Sequence, residues 1–293
     1  MDKTWELVQD EKAHLGESPS WDSEGQVLYW IDSARGNLYI YDPKNERNRK
    51  MEIGEHIGSV APKNEQEVIM ATESGIYLFH LETEKKTFIT NPNKHSENIF
   101  NDGKCDPFGR FWVGTVNGVD AEKFTGELFC LQLDYSIATK IQSVGCSNGI
   151  TWSPDYQTMY YIDTLAYKIV AFDYDLNTGD INNKRTVVII PEKFKLPDGM
   201  SGDMEGNLWV AHWDAGVICC WDPNNRNLLE TIKLPVPRVT SCVFGGEKRN
   251  ELYVTSARTG LTEKELAFHP YSGGLFRINM DVQGLPTFSF NNR

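Results

Sequence analysis

Short runs of aromatic and β-branched residues, each flanked by turn-forming residues, recur along the whole chain. They are Leu28-Tyr29-Trp30-Ile31-Asp32, Val68-Ile69-Met70-Ala71-Thr72, Phe111-Trp112-Val113-Gly114-Thr115, Met159-Tyr160-Tyr161-Ile162-Asp163, Leu208-Trp209-Val210-Ala211-His212 and Leu252-Tyr253-Val254-Thr255-Ser256. Consecutive runs start about 45 residues apart, the period of a propeller blade. The fourth unit shows the internal plan. Residues 149–152 read as a strand and 153–155 as a turn. Residues 159–163 and 168–174 are the next two strands, and a turn at 177–180 leads into a fourth at 186–190. Alternation at period two with turn residues at the breaks is the signature of strands. No segment sustains helical periodicity and no linker divides the chain. The expectation is one all-β domain over residues 1–293, a six-bladed β-propeller with four antiparallel strands per blade around a central channel. A two-sheet sandwich is the competing arrangement, and so regular a repeat speaks against it.

Composition supports a packed core and narrows the partners. Hydrophobic residues make up 40% and aromatics 12% of the 293 residues, while 29 Lys+Arg against 41 Asp+Glu give a formal charge of -12. Such a field repels phosphate backbones and anionic lipids and favours cations and neutral small molecules. No nucleic-acid or membrane partner is therefore expected. No stretch approaches the ~18 apolar residues of a membrane span, and Met1 to Glu6 lack the basic-then-apolar order of a secretory signal. Cysteines at 105, 130, 146, 219, 220 and 242 form no Cys-x-x-Cys pair. They read as reduced thiols of a cytoplasmic protein, monomeric or a small homo-oligomer.

The candidate chemistry lies ahead of the repeating runs. At the point where the preceding strand of four repeats opens stand Glu17, Asn101, Asn148 and Asp198; the other two repeats have Ile57-Gly58 and Ser241-Cys242 there. First strands line a propeller's channel, so equivalent positions form a ring at one mouth. Two carboxylates meeting in a poorly hydrated channel repel each other unless one holds a proton or a cation sits between them. Oxygen donors without His or Cys select a hard divalent cation, Ca2+ first, then Mg2+ or Mn2+, with Zn2+ last. Three or four protein oxygens leave room for water and substrate. Asn148-Gly149 and Asp198-Gly199 are also hairpin signals, so either pair alone could be a simple turn.

At these residues the chain resembles the family of regucalcin (senescence marker protein 30), the gluconolactonases and the luciferin-regenerating enzymes. The likeness runs from Gly16-Glu17-Ser18-Pro19 to Gly273-Gly274-Leu275-Phe276. It is carried by Asn101-Asp102-Gly103-Lys104, Ser147-Asn148-Gly149 with Trp152-Ser153, and Pro197-Asp198-Gly199-Met200. The resemblance implies a six-bladed propeller that hydrolyses a small-molecule lactone with one divalent metal. It implies Glu17, Asn148 and Asp198 as ligands and Asn101 as a substrate contact, with Asp102 supporting the set from behind. Two substrate positions depart from the family pattern. Ile99 replaces an arginine, and Val119 with Asp120 stands near a sugar-facing glutamate. An apolar Ile99 points away from sugar hydroxyls and toward a less polar lactone.

The expected reaction has the metal polarising the lactone carbonyl, with Asp198 as general base and then general acid. The alternative is a non-catalytic calcium-binding or scaffold propeller. Several other patterns are set aside. Asp173-Tyr174-Asp175-Leu176-Asn177 opens like a calcium loop but lacks the Gly and Glu that the loop needs at Thr178 and Lys184. Gly199-Met200-Ser201-Gly202-Asp203 is one residue off a nucleophile elbow. Cys219-Cys220 read as buried thiols, and His212 and Trp213 as core or surface residues.

Overall fold

The computed structural model describes residues 3–120 and 122–291. Among them, the strands form six four-stranded antiparallel sheets. Five sheets use four consecutive strands each. The sixth joins Val239–Gly245, Glu251–Ser256 and Leu275–Asn279 to the N-terminal strand Trp5–Gln9, which pairs with Leu275–Asn279 through Trp5↔Ile278, Glu6↔Arg277 and Leu7↔Phe276. This closure is a finding that hydrophobic periodicity did not anticipate. The last blade borrows its outermost strand from the other end of the chain, which leaves no unpaired edge between first and last blades.

The fourth blade consists of Ser147–Trp152, Thr158–Asp163, Lys168–Tyr174 and Ile181–Ile189. Its outer strand begins well before the apolar run at Thr186 because residues 182–185 face solvent and carry no hydrophobic signal. A six-residue helix, Glu263–Phe268, also departs from the all-strand expectation. It is too short for periodicity to reveal and is held by a capping box between Thr262 and Glu265. Buried aspartates lock the first hairpins: Trp112 and Trp209 each donate Nε1–H to Oδ2 of the aspartate six residues earlier, Asp106 and Asp203, at 2.9 Å.

Each blade's inner strand carries one extra residue opposite its partner at the same level. The register slips between Glu17 and Ser20, Ile57 and Ser59, Phe100 and Gly103, Ser147 and Ile150, Pro197 and Met200, and Val239 and Ser241. A bulge bends a strand and re-aims its side chains. Six bulges at one level turn the ring positions toward the axis. The opposite mouth is covered by the C-terminal tail. Leu285 donates its N–H to Gly202 O, Phe290 to Pro62 O and Asn291 to Gly109 O, so the tail crosses from blade 5 to blades 2 and 3. A chamber of about 20 Å³, room for a single water, remains between Lys104, Thr151, Ser201 and the tail's Leu285–Phe288.

Candidate functional site

Asn148-Gly149 and Asp198-Gly199 lie inside inner strands, Ser147–Trp152 and Leu196–Gly202, so the hairpin-turn reading does not hold. Neither glycine has a positive φ. What they provide is closeness. A Cβ on Gly199 would stand 2.0 Å from Ser241 Oγ, and one on Gly149 2.8 Å from Asp198 O. Only glycine lets neighbouring inner strands approach this tightly around the axis. In blade 1 the same level is occupied by Ser18, a non-glycine residue with φ 47°. Its hydroxyl accepts from Val60 N at 3.1 Å and lies 3.1 Å from Ser59 Oγ, and its N–H donates to Glu17 Oε2 at 3.0 Å. A left-handed serine held from blade 2 fixes the exit direction of Glu17.

Glu17, Asp198 and Asp102 share one electrostatic environment. Burial, then the charges of Asp198 and Asp102, push the Glu17 carboxyl well above its ordinary range, against the Ser18 N–H. Asp198 is likewise raised well above it, by burial and then Asp102, with Asn148 and the Gly199 N–H pulling the other way. Burial also raises Asp102, although the Lys104 ammonium and the Gly103 N–H oppose it. Lys104, lowered by its own burial, donates to Met200 O at 2.8 Å across the channel. Without a compensating cation, this group of carboxylates holds protons at a pH where exposed ones are bare.

Asn148 is buried, and its orientation is forced. Thr164 Oγ1 donates its one hydrogen to Pro197 O at 2.9 Å, so it can only accept from Asn148, whose Nδ2 lies 3.0 Å away. The amide therefore cannot flip, and Asn148 Oδ1 is left buried with no donor. A fixed, unpartnered acceptor beside two proton-hungry carboxylates is what a missing cation leaves behind. Among the described residues no three His, Cys, Asp or Glu side chains form a metal cluster, because the third oxygen here is an amide. Two carboxylates and an amide oxygen are hard donors that fit a divalent cation of the Ca2+, Mg2+ or Mn2+ type.

Asn101 stands beside this group, with Nδ2 donating to Ser147 O at 2.8 Å and so leaving Oδ1 uncommitted to that bond. Ile99 lies two residues earlier on the same strand, half-buried at the rim. Asp120 is exposed on the loop after Phe111–Asn117, and its carboxylate accepts from Glu122 N within that loop. It is not drawn into the ring. Periodicity also missed a pair of supports. Asp32 accepts from His14 N and Leu15 N at 2.8 and 3.1 Å, and Asp163 from Gly145 N and Cys146 N at 3.1 and 3.0 Å. Each closes the second strand of its blade and clamps the backbone just ahead of a ring residue, Glu17 or Asn148. The shared endings Trp30-Ile31-Asp32 and Tyr161-Ile162-Asp163 were the available signal.

The patterns set aside are explained by the fold. The calcium-loop look-alike is a hairpin whose carbonyls at Leu176 and Asn177 accept from the buried Arg110 guanidinium. His212 is a core residue 5.5 Å from the Phe194 ring, and burial pushes it down to about 4. All six cysteines are free thiols; Cys146 alone among them is not fully buried.

Residues 15–258 match the family described as SMP-30/Gluconolactonase/LRE-like region. The chain is 36% identical over 285 residues to the assigned sugar lactone lactonase YvrE of Bacillus subtilis (strain 168), covering 97% of each chain. It is 36% identical over 291 residues to regucalcin of Oryctolagus cuniculus, again over 97% of each. A solved luciferin-regenerating enzyme superposes with a TM-score of 0.90 at 31% identity, covering 98% of this chain and 99% of that one.

Proposed function

The chain belongs to the SMP-30/gluconolactonase/LRE-like family, and from that premise we propose that it is a divalent-cation-dependent lactonase. Its relatives' names support hydrolysis of a lactone, and the ring supports the metal dependence. The observation that carries the reading is the unpartnered Oδ1 of Asn148 between the raised carboxylates of Glu17 and Asp198.

Glu17, Asn148 and Asp198 would hold the cation. When bound, it supplies charge compensation for the carboxylates and Lewis-acid polarisation of the lactone carbonyl. Asp198, with the cation's field keeping it ionised, accepts a proton from the attacking water as the water oxygen bonds to the carbonyl carbon. The same carboxyl returns that proton to the ring oxygen as the acyl C–O bond breaks, and the product is an open hydroxy acid. Asn101, anchored through Nδ2 to Ser147 O, presents Oδ1 to orient substrate or water. Lys104 and the covered distal mouth close the site from below, so reactants enter and leave on the ring side.

The test is acid release from a panel of γ- and δ-lactones, with chelator and with Ca2+, Mg2+, Mn2+ or Zn2+ added back. Turnover that is lost on chelation and restored by a divalent ion supports the proposal. Cation binding without hydrolysis of any lactone would leave a binding protein instead.

A further inference from the structure

The wall of the mouth between blades 3 and 4 is apolar and continuous with the ring. Ile99 sits two residues before Asn101, opposite Val116 in register. Val116 in turn bridges to Cys146, whose Sγ is 3.8 Å from Asn101 Nδ2. Above them two glycines clear space. A Cβ on Gly118 would lie 3.3 Å from both Ile99 Cδ1 and Cγ2, and one on Gly145 2.9 Å from Phe124 Cε1 and 3.0 Å from Leu165 Cδ1. Phe124 remains 50% exposed there, a large apolar ring facing water with no structural need for it.

The polar side chains of the same sector are already engaged. Asn98 donates to Thr125 O, Asn117 to Glu97 and Thr125, and Asn101 to Ser147 O. Asp163 holds two backbone N–H groups, Thr164 joins Asn148 to Pro197, and Lys123 pairs with Glu97. Substrate hydroxyls placed on this wall would lose water and find no partner, whereas methylenes would be covered. Burial also keeps the Cys146 thiol protonated, pushed up to about 12, so it contributes an apolar surface rather than a charge.

We propose that this wall is an alkyl subsite and that the substrate is a lactone bearing an aliphatic substituent rather than a polyhydroxylated one. Ile99, Cys146, Leu165 and Phe124 contact that substituent while the ester group faces Asn101 and the ring. The inference rests on the lactonase reading above.

The experiment compares kcat/KM, above the spontaneous rate, for δ-decalactone, δ-valerolactone and glucono-δ-lactone with cation-loaded protein. The expected order places δ-decalactone first, by about 100-fold over glucono-δ-lactone, the scale of discrimination an apolar pocket reaches. In Ile99→Ser and Phe124→Ser, the second altering an exposed side chain that folding does not need, the ratio of δ-decalactone to δ-valerolactone falls about tenfold. A preference for glucono-δ-lactone, or a ratio that both substitutions leave unchanged, overturns the subsite and leaves the lactonase standing. No turnover of any of the three overturns the lactonase reading and the subsite with it.

Discussion

Asn148 illustrates how much of a site a single hydroxyl can dictate. Thr164 has one hydrogen and gives it to Pro197 O, so the amide must point Nδ2 toward Thr164 and leave Oδ1 bare. The ring position of Asn148 was legible from the spacing of the repeats. Its orientation was not, because Thr164 and Pro197 belong to different blades and meet Asn148 only after folding. Replacing Asn148 by Ala removes one ligand oxygen and one hydrogen bond. Cation affinity measured by calorimetry is expected to fall at least tenfold, while the chelated protein loses only about 1 kcal/mol, the worth of one hydrogen bond. Asp198→Asn separates function from stability more sharply. It removes a buried charge that burial and Asp102 already penalise. Lactone turnover is expected to vanish, and the melting temperature in chelator at neutral pH is expected to rise. A falling melting temperature would show that Asp198 is not strained by its neighbours.

Strands were read from the chain where apolar and polar positions alternate, and missed where they do not. The polar first half of Ile181–Ile189 and the N-terminal strand Trp5–Gln9 carry weak patterns, because outer strands meet water. Bulges were invisible for another reason: an inserted residue changes direction, not hydrophobicity. Yet the bulges are what convert Asn-Gly and Asp-Gly from turn signals into axial donors. Two predictions belong to this scale. Asp163→Ala frees the Gly145 and Cys146 N–H groups that set the entry to the Asn148 strand. Cation affinity is expected to drop about 10–100-fold, as when the support behind a metal ligand is lost, with the fold retained by circular dichroism. Asp106→Ala strands the Arg110 guanidinium, whose Nε lies 2.7 Å from Asp106 in a fully buried pair. Urea unfolding is expected to show a loss of about 3–5 kcal/mol, far from the ring and without effect on the metal dependence of the remaining activity.

The whole molecule places a net charge of -12 around a channel whose interior concentrates carboxylates, and pH reports on that arrangement. Raised carboxyl groups at Glu17, Asp198 and Asp102 mean that the cation-free fold binds more protons than the unfolded chain. Its stability therefore falls as pH rises above the ordinary carboxylate range. His212, pushed down to about 4, has the opposite slope between there and its ordinary value near 6.5. Comparing cation-loaded with chelated protein cancels His212 and isolates the ring. The gap in melting temperature is expected to widen as pH rises, because binding displaces the ring's protons; a gap independent of pH would contradict the shared-proton description. The most direct measurement is anomalous diffraction from crystals grown with Mn2+. The account predicts a single strong peak at the ring-side mouth within bonding distance of Glu17, Asn148 Oδ1 and Asp198. A channel with no peak, or a peak whose ligands exclude these three residues, would contradict it.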